Sequence, residues 1–249
     1  MIVAWLIQAA SPDAPYPFLN LEGEQVSAKS TASKLLRSVI DPSVAPIRTL
    51  PRNERDLLIS AINSRILAYD NQSGLTDQVS ESLDRLSSGS GISSKELYTN
   101  GSKFILNAAN PIILTGIDQI ATRNDLADRS ITIYLPAISD DQRVLERRLW
   151  PQFEIMQPRL LGCICDALSC ALRRQNQVEL DRMLRMADFA YWVTAAEPAL
   201  QRQPGEFLQA YYDSQSQAER RSCTLTTSPW FCWISWVVKD GGQAPCRTC

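Results

Sequence analysis

Leu19-Asn-Leu-Glu-Gly23-Glu-Gln-Val-Ser-Ala28-Lys-Ser-Thr31-Ala-Ser-Lys-Leu-Leu-Arg-Ser-Val-Ile40 is the stretch from which the rest of the chain is read. The apolar run from Phe18 to Leu21 has the length of a buried strand and stops at Gly23. A short turn leads to Lys29-Ser30-Thr31, and Leu35, Leu36, Val39 and Ile40 then fall on one face of a helix. Strand, tight loop, Lys-Ser/Thr and helix is how a phosphate-binding loop is built. Backbone N–H groups wrap the phosphates, the lysine reaches the β/γ oxygens, and the next hydroxyl ligates Mg²⁺. The helix N-terminus adds its partial positive charge at the same point. Gly23, Glu24, Gln25, Val26, Ser27, Ala28, Lys29, Ser30 and Thr31 are therefore the candidate nucleotide-binding residues, with Ser30 also on the metal. The fit is imperfect, because Ala28 stands where the second glycine of the pattern belongs. The alternative is an ordinary strand–helix turn that happens to contain Lys-Ser-Thr.

A second informative stretch runs from Arg65 to Asn71. Ile66-Leu-Ala-Tyr69 is a buried-strand run ending in Asp70-Asn71. An acid at the carboxyl tip of a parallel strand beside the loop strand is placed to hold the Mg²⁺ of a bound ATP. Asp70 is the candidate for that role, against the plain reading of an acid that starts a loop. Asn71 stands where a second acid would polarise the attacking water. An amide cannot accept a proton, so Asn71 would orient the water instead.

The remaining chain supplies the frame. Ile2–Ala10 reads as a short helix that buries a face on the domain after it. Asp41-Pro42 stops the loop helix, Val44–Ile47 is a short candidate strand, and Asn53 caps a helix to about Asn63. Ser73–Leu86 is helical. Glu96–Thr99, Asn100-Gly101 and Ser102–Leu106 carry a hairpin signature with a type I′ turn. Lys95 and Lys103 make this hairpin a candidate nucleic-acid contact, against the alternative of a solvated hairpin. Pro111–Gly116 is a buried strand ending near Thr115, whose hydroxyl suits a γ-phosphate or water contact as well as a plain strand end. Ala121–Arg129 is a charged connector into a last strand at Ser130–Leu135. Strands alternating with helices give a parallel α/β sheet with helices on both faces. From Ser139 the pattern is helical throughout, in pieces over Asp140–Leu149, Pro158–Arg174, Arg185–Leu200 and Gly205–Tyr212.

Composition narrows the function classes. The 249-residue chain is 45% hydrophobic and 21% charged, as for a soluble globular protein. Its net charge of −2 confines any nucleic-acid contact to a local patch. It contains no histidine, which removes histidine bases and histidine metal ligands. The seven cysteines form no paired C-x-x-C set, so reduced thiols in a cytoplasmic protein are expected in place of a zinc site. Met1–Ala10 lacks the basic flank and cleavage site of a leader, and no stretch reaches the ~20 apolar residues of a membrane span.

Taken in series, several motifs resemble prophage and mobile-element ATP-binding proteins of the AAA+-like, helicase/primase-associated kind. They are Gly23–Thr31, Asp70-Asn-Gln-Ser73, Ser82–Gly89, Glu96–Thr99, Pro111–Ile117, Arg123–Arg129 and Met186–Trp192. The resemblance runs from about residue 3 to residue 213. It implies a P-loop NTPase core over residues 1–138 and an all-α lid over 139–221. It also implies ATP with Mg²⁺, a homo-oligomeric ring, and work on single-stranded or duplex DNA in replication of an element. By the same resemblance Arg129 is the finger reaching a neighbouring subunit's γ-phosphate, and Arg123 assists it. Surface ion pairs are the other reading of both arginines.

The chain departs from this pattern at Val26 and Ala28, where the family has glycines, and at Thr115, where asparagine is common. If the loop keeps its geometry, the two Cβ-bearing residues strain it and weaken nucleotide binding. Residues 222–249 do not follow the family and read as a truncated or frame-shifted tail. Two functional readings stand: an ATPase acting in nucleic-acid replication or unwinding, and a degenerate NTP-binding or structural subunit.

Overall fold

The computed structural model describes residues 1–12, 15–72, 75–90, 92–95, 103–106, 108–117, 124–180 and 184–220. The chain opens with α1 (Ile2–Ala10), anchored by the Trp5 indole donating to the Pro17 carbonyl at 2.8 Å. There follow β1 (Phe18–Glu22), α2 (Lys29–Ile40), β2 (Arg48–Thr49), α3 (Glu54–Ile62), β3 (Leu67–Gln72) and α4 (Asp77–Ser88). A two-stranded antiparallel ribbon, β4 (Ile92–Lys95) with β5 (Lys103–Leu106), precedes β6 (Ile112–Gly116), α5 (Asn124–Ala127) and β7 (Ser130–Tyr134). The chain then becomes helical: α6 (Glu146–Arg174), α7 (Ala187–Ala196) and α8 (Glu206–Arg220).

Five strands form one parallel sheet in the order β2-β3-β6-β1-β7, with helices on both faces. Alternation along each strand sends neighbouring residues to opposite faces. Phe18, Leu67, Tyr69, Ile112 and Leu114 pack under α3, α4 and α5 through Leu57, Leu83, Leu86 and Leu126. On the other face Leu19, Leu21, Ala68, Ile113 and Ile131 pack against α1 and α2. Ile164, Phe189, Phe207 and Tyr211 of α6 to α8 belong to that same cluster, so the helices after residue 139 share the sheet's core.

The expected elements recur with three changes. The strand expected over Val44–Ile47 forms instead at Arg48–Thr49. Pro46 lacks the N–H a ladder needs, and Val44 is fully exposed. Asn53 does cap α3, accepting from the Asp56 N–H at 2.8 Å. The ribbon's first strand lies at Ile92–Lys95, ahead of the Glu96–Thr99 expected, and the Asn100-Gly101 turn falls outside the described residues. The helical pieces expected on either side of Pro158 form one helix with Pro151 and Pro158 inside it. Both prolines are exposed, as are Arg147 and Glu154, whose carbonyls lose their helical donors, while Ile164, Ala167, Cys170 and Ala171 hold the buried side.

One apolar window in the Glu146–Gln177 helical stretch is long and apolar enough to cross a bilayer, contrary to the sequence expectation. Length and composition are all that it satisfies.

Candidate functional site

The loop between β1 and α2 is shaped by three residues with positive φ. Gly23 has φ 152°, and a Cβ there would stand 2.2 Å from the Leu135 carbonyl oxygen, so only glycine fits. Val26 (φ 66°) and Ala28 (φ 56°) are both left-handed. The two positions that lack the expected glycines thus take a glycine's conformation and do not relax away from it. Each such residue costs roughly 1–2 kcal/mol, and a β-branched valine more than an alanine. The loop is braced against this strain. The Leu135 N–H donates to the Glu22 carbonyl (2.7 Å) and the Ile138 N–H to the Val26 carbonyl (3.1 Å). Ser27, buried under the loop, donates to the Glu24 carbonyl at 2.8 Å. Replacing both residues, Val26→Gly with Ala28→Gly, is expected to raise the unfolding free energy by about 1 kcal/mol after glycine's larger chain entropy is subtracted. Most of the gain should come from Val26. Urea titration checks this, and an unchanged midpoint would mean that the loop carries no strain.

Glu24, Gln25, Val26 and Ala28 are exposed on the outer surface of the loop. Inside it the Lys29 ammonium donates to the Gly23 carbonyl (2.8 Å), the Glu24 carbonyl (2.6 Å) and Ser27 Oγ (3.1 Å). Burial lowers the lysine's pKa from its ordinary value, and the Asp70 carboxylate opposes that shift. No side chain caps α2. Its first-turn N–H groups, from Lys29, Ser30 and Thr31, therefore open at the loop with the positive end of the helix dipole.

The acid faces this point through a bulge. Tyr69 pairs with Leu114 and Gln72 with Gly116, so Asp70 and Asn71 together oppose the single residue Thr115. Bulges re-aim side chains at the ends of strands. The Asp70 carboxylate accepts from Ser30 Oγ at 2.9 and 2.8 Å and from the fully buried Thr115 hydroxyl. Gln72 Nε2 donates to the Asp70 carbonyl at 2.6 Å, holding the bulge. The expectation that the acid's strand lies beside the loop strand is corrected here. β6 lies between β1 and β3, and this puts Thr115 between the loop and Asp70.

Lys29, Ser30, Asp70 and Thr115 are thus gathered at the carboxyl edge of the sheet, and the Asn71 backbone lies in the bulge beside them. Arg129 is elsewhere. It precedes β7 at the amino edge, and its guanidinium pairs with Asp84 of α4 at 2.7 Å. Arg123 lies outside the described residues. Sequence reading passes over Leu135, Ile138, Gln72 and Asp84. The first three act through backbone groups or on them, which no side-chain pattern announces.

Ser30 Oγ and the Asp70 oxygens fit a hard cation. They lie 2.8–2.9 Å apart, joined by the Ser30 hydroxyl's hydrogen bond, and are oxygen donors of the kind Mg²⁺ takes. Among the described residues no group of three or more acidic or thiol ligands exists. A cation here would need further oxygens from phosphates and water, which is how Mg²⁺ is usually held with a nucleotide.

A family model described as actinomycete integrative conjugative element replication protein matches residues 1–216. No curated protein matches the chain. Among solved structures, it is similar to JCV helicase bound to a thiazolopyridinyl-phenoxyphenyl acetamide. The identity is 13% and the TM-score 0.34, over 95% of this chain and 64% of that one. The chain therefore spans less than two thirds of that helicase structure, and a likeness at this level establishes no residue correspondence.

Proposed function

We infer function from one premise: this chain belongs to the family of actinomycete integrative conjugative element replication proteins. As a replication protein of a mobile element, it binds Mg·ATP in the loop Gly23–Thr31 and uses its hydrolysis to act on nucleic acid. The observation that carries this reading is the convergence of Lys29, Ser30, Asp70 and Thr115 at one edge of a parallel sheet. Lys29 and the first turn of α2 neutralise phosphate charge. Ser30 and Asp70 hold the metal, which supplies further neutralisation when bound. Asn71 and Thr115 orient the attacking water. Arg129, with Arg123, completes the site of a neighbouring subunit in a homo-oligomeric ring.

A second reading has its own support. Asn71 is an amide, and Val26 and Ala28 strain the loop. These features suit a subunit that binds nucleotide and turns it over weakly. Calorimetric ATP binding together with phosphate release, with and without single-stranded DNA, separates the two. Binding with DNA-stimulated release supports the ATPase. Binding without release supports the weak subunit, and absence of binding rejects both.

The β4–β5 ribbon supplies the nucleic-acid contact. Lys95 and Lys103 stand opposite one another in its register, and two lysines at one level of a ribbon suit a phosphate. Lys95→Ala with Lys103→Ala is expected to weaken single-stranded DNA binding and to flatten its log K against log salt slope by about 1 to 1.5. An unchanged slope would place the contact elsewhere.

A further inference from the structure

We propose that α6 is the interface for a second copy of this chain, packed antiparallel across a two-fold axis. Only 22% of the helix's apolar window is buried, so most of that window lies outside the core of a single subunit. Ile155 is 71% exposed and Leu172 58% exposed. Between them Pro158, Gly162, Cys165 and Ser169 continue one exposed stripe at alternating spacings of three and four residues, the seam spacing of paired helices.

The stripe is its own complement under inversion. About the midpoint of the stripe, between Cys163 and Ile164, Ile155 matches Leu172, Pro158 matches Ser169 and Gly162 matches Cys165. Small residues meet at the centre, where two helices approach most closely, and bulky ones meet at both ends. Charge agrees with this arrangement. Arg159 and Asp166 are exposed and flank the stripe on the same side. The inversion brings Arg159 of each copy beside Asp166 of the other, twice by symmetry. The same two charges, within the helix, make burial in lipid costly and argue against a bilayer as the occupant.

This two-fold contact is separate from the ring contact through Arg129 and independent of the nucleotide reading, and its test measures mass without nucleotide, where only the α6 contact is expected to form. Sedimentation velocity of the full chain over a concentration series should show a monomer of 27.8 kDa in equilibrium with a dimer. A Cβ at Gly162 meets nothing within 4 Å in the subunit, so Gly162→Leu should fold normally. It should raise the dimer dissociation constant about tenfold or more by overfilling the seam. Arg159→Asp alone and Asp166→Arg alone should each be monomeric, because each places like charges opposite one another. An equimolar mixture of the two variants should dimerise, since every contact then pairs opposite charges. A monomeric wild type at ~100 µM, far above the dissociation constant of a stable dimer, overturns the proposal. So does a dimer indifferent to Gly162→Leu, a mixture that stays monomeric, or wild-type flotation with phospholipid vesicles.

Discussion

Lys29→Ala is expected to weaken Mg·ATP binding about a hundredfold or more while the fold survives. Each charge-assisted hydrogen bond from the ammonium to a phosphate oxygen contributes roughly 1.5–3 kcal/mol, so two of them account for that loss. The lysine is placed to make them. Its ammonium lies inside the loop within 3.1 Å of Gly23, Glu24 and Ser27, at the uncapped start of α2. The loop does not depend on it alone, because Leu135 and Ile138 brace the same backbone by their own N–H groups. Circular dichroism and urea unfolding should therefore stay near wild type when calorimetry loses the nucleotide signal. Equal affinities in the two proteins would reject the nucleotide site. Parallel loss of the fold would show that Lys29 acts as a structural tie.

The second large effect is on turnover. Arg129→Ala is expected to lower ATP hydrolysis by roughly 10³-fold with little change in ATP binding, the scale of an arginine acting on transition-state charge. The position of Arg129 is the reason a neighbouring subunit's site is the one expected to respond. In the pairing of β1 with β7, Phe18 stands opposite Ser130 and Glu22 opposite Tyr134. At ~3.3 Å per residue the arginine is therefore some 15 Å along the strands from its own loop. Turnover should accordingly rise with protein concentration. Its ion pair with Asp84 is partly exposed and contributes at most ~1 kcal/mol, so the variant should fold. Asp84→Asn is the control, because it removes the partner and keeps the guanidinium. Activity retained there but lost in Arg129→Ala assigns the effect to the arginine itself. Full hydrolysis by a strict monomer would remove Arg129 from the chemistry.

The residues that meet at the candidate site were legible in the chain. Lys29-Ser30-Thr31 before an amphipathic helix, an apolar strand ending in Asp70, and a polar residue ending Pro111–Thr115 all point to one edge of a parallel sheet. Local patterns reveal such things because strand alternation, helix period and caps depend on residues a few positions apart. The Asn53 cap of α3 and the Ile2–Ala10 helix are legible for the same reason. Sheet order was not legible. Ladder hydrogen bonds join backbone groups that every residue carries, so nothing in Leu67–Tyr69 states that β6 lies between it and β1. The bulge opposite Thr115 has the same origin, and it is what turns Asp70 toward Ser30. Tertiary packing also overrode local preference. Val26 and Ala28 keep a left-handed backbone because Leu135 and Ile138, more than a hundred positions away, hold the carbonyls around them. Pro158 lies inside a continuous α6 because Ile164, Ala167 and Ala171 gain more by packing on the core than the helix loses at one exposed carbonyl.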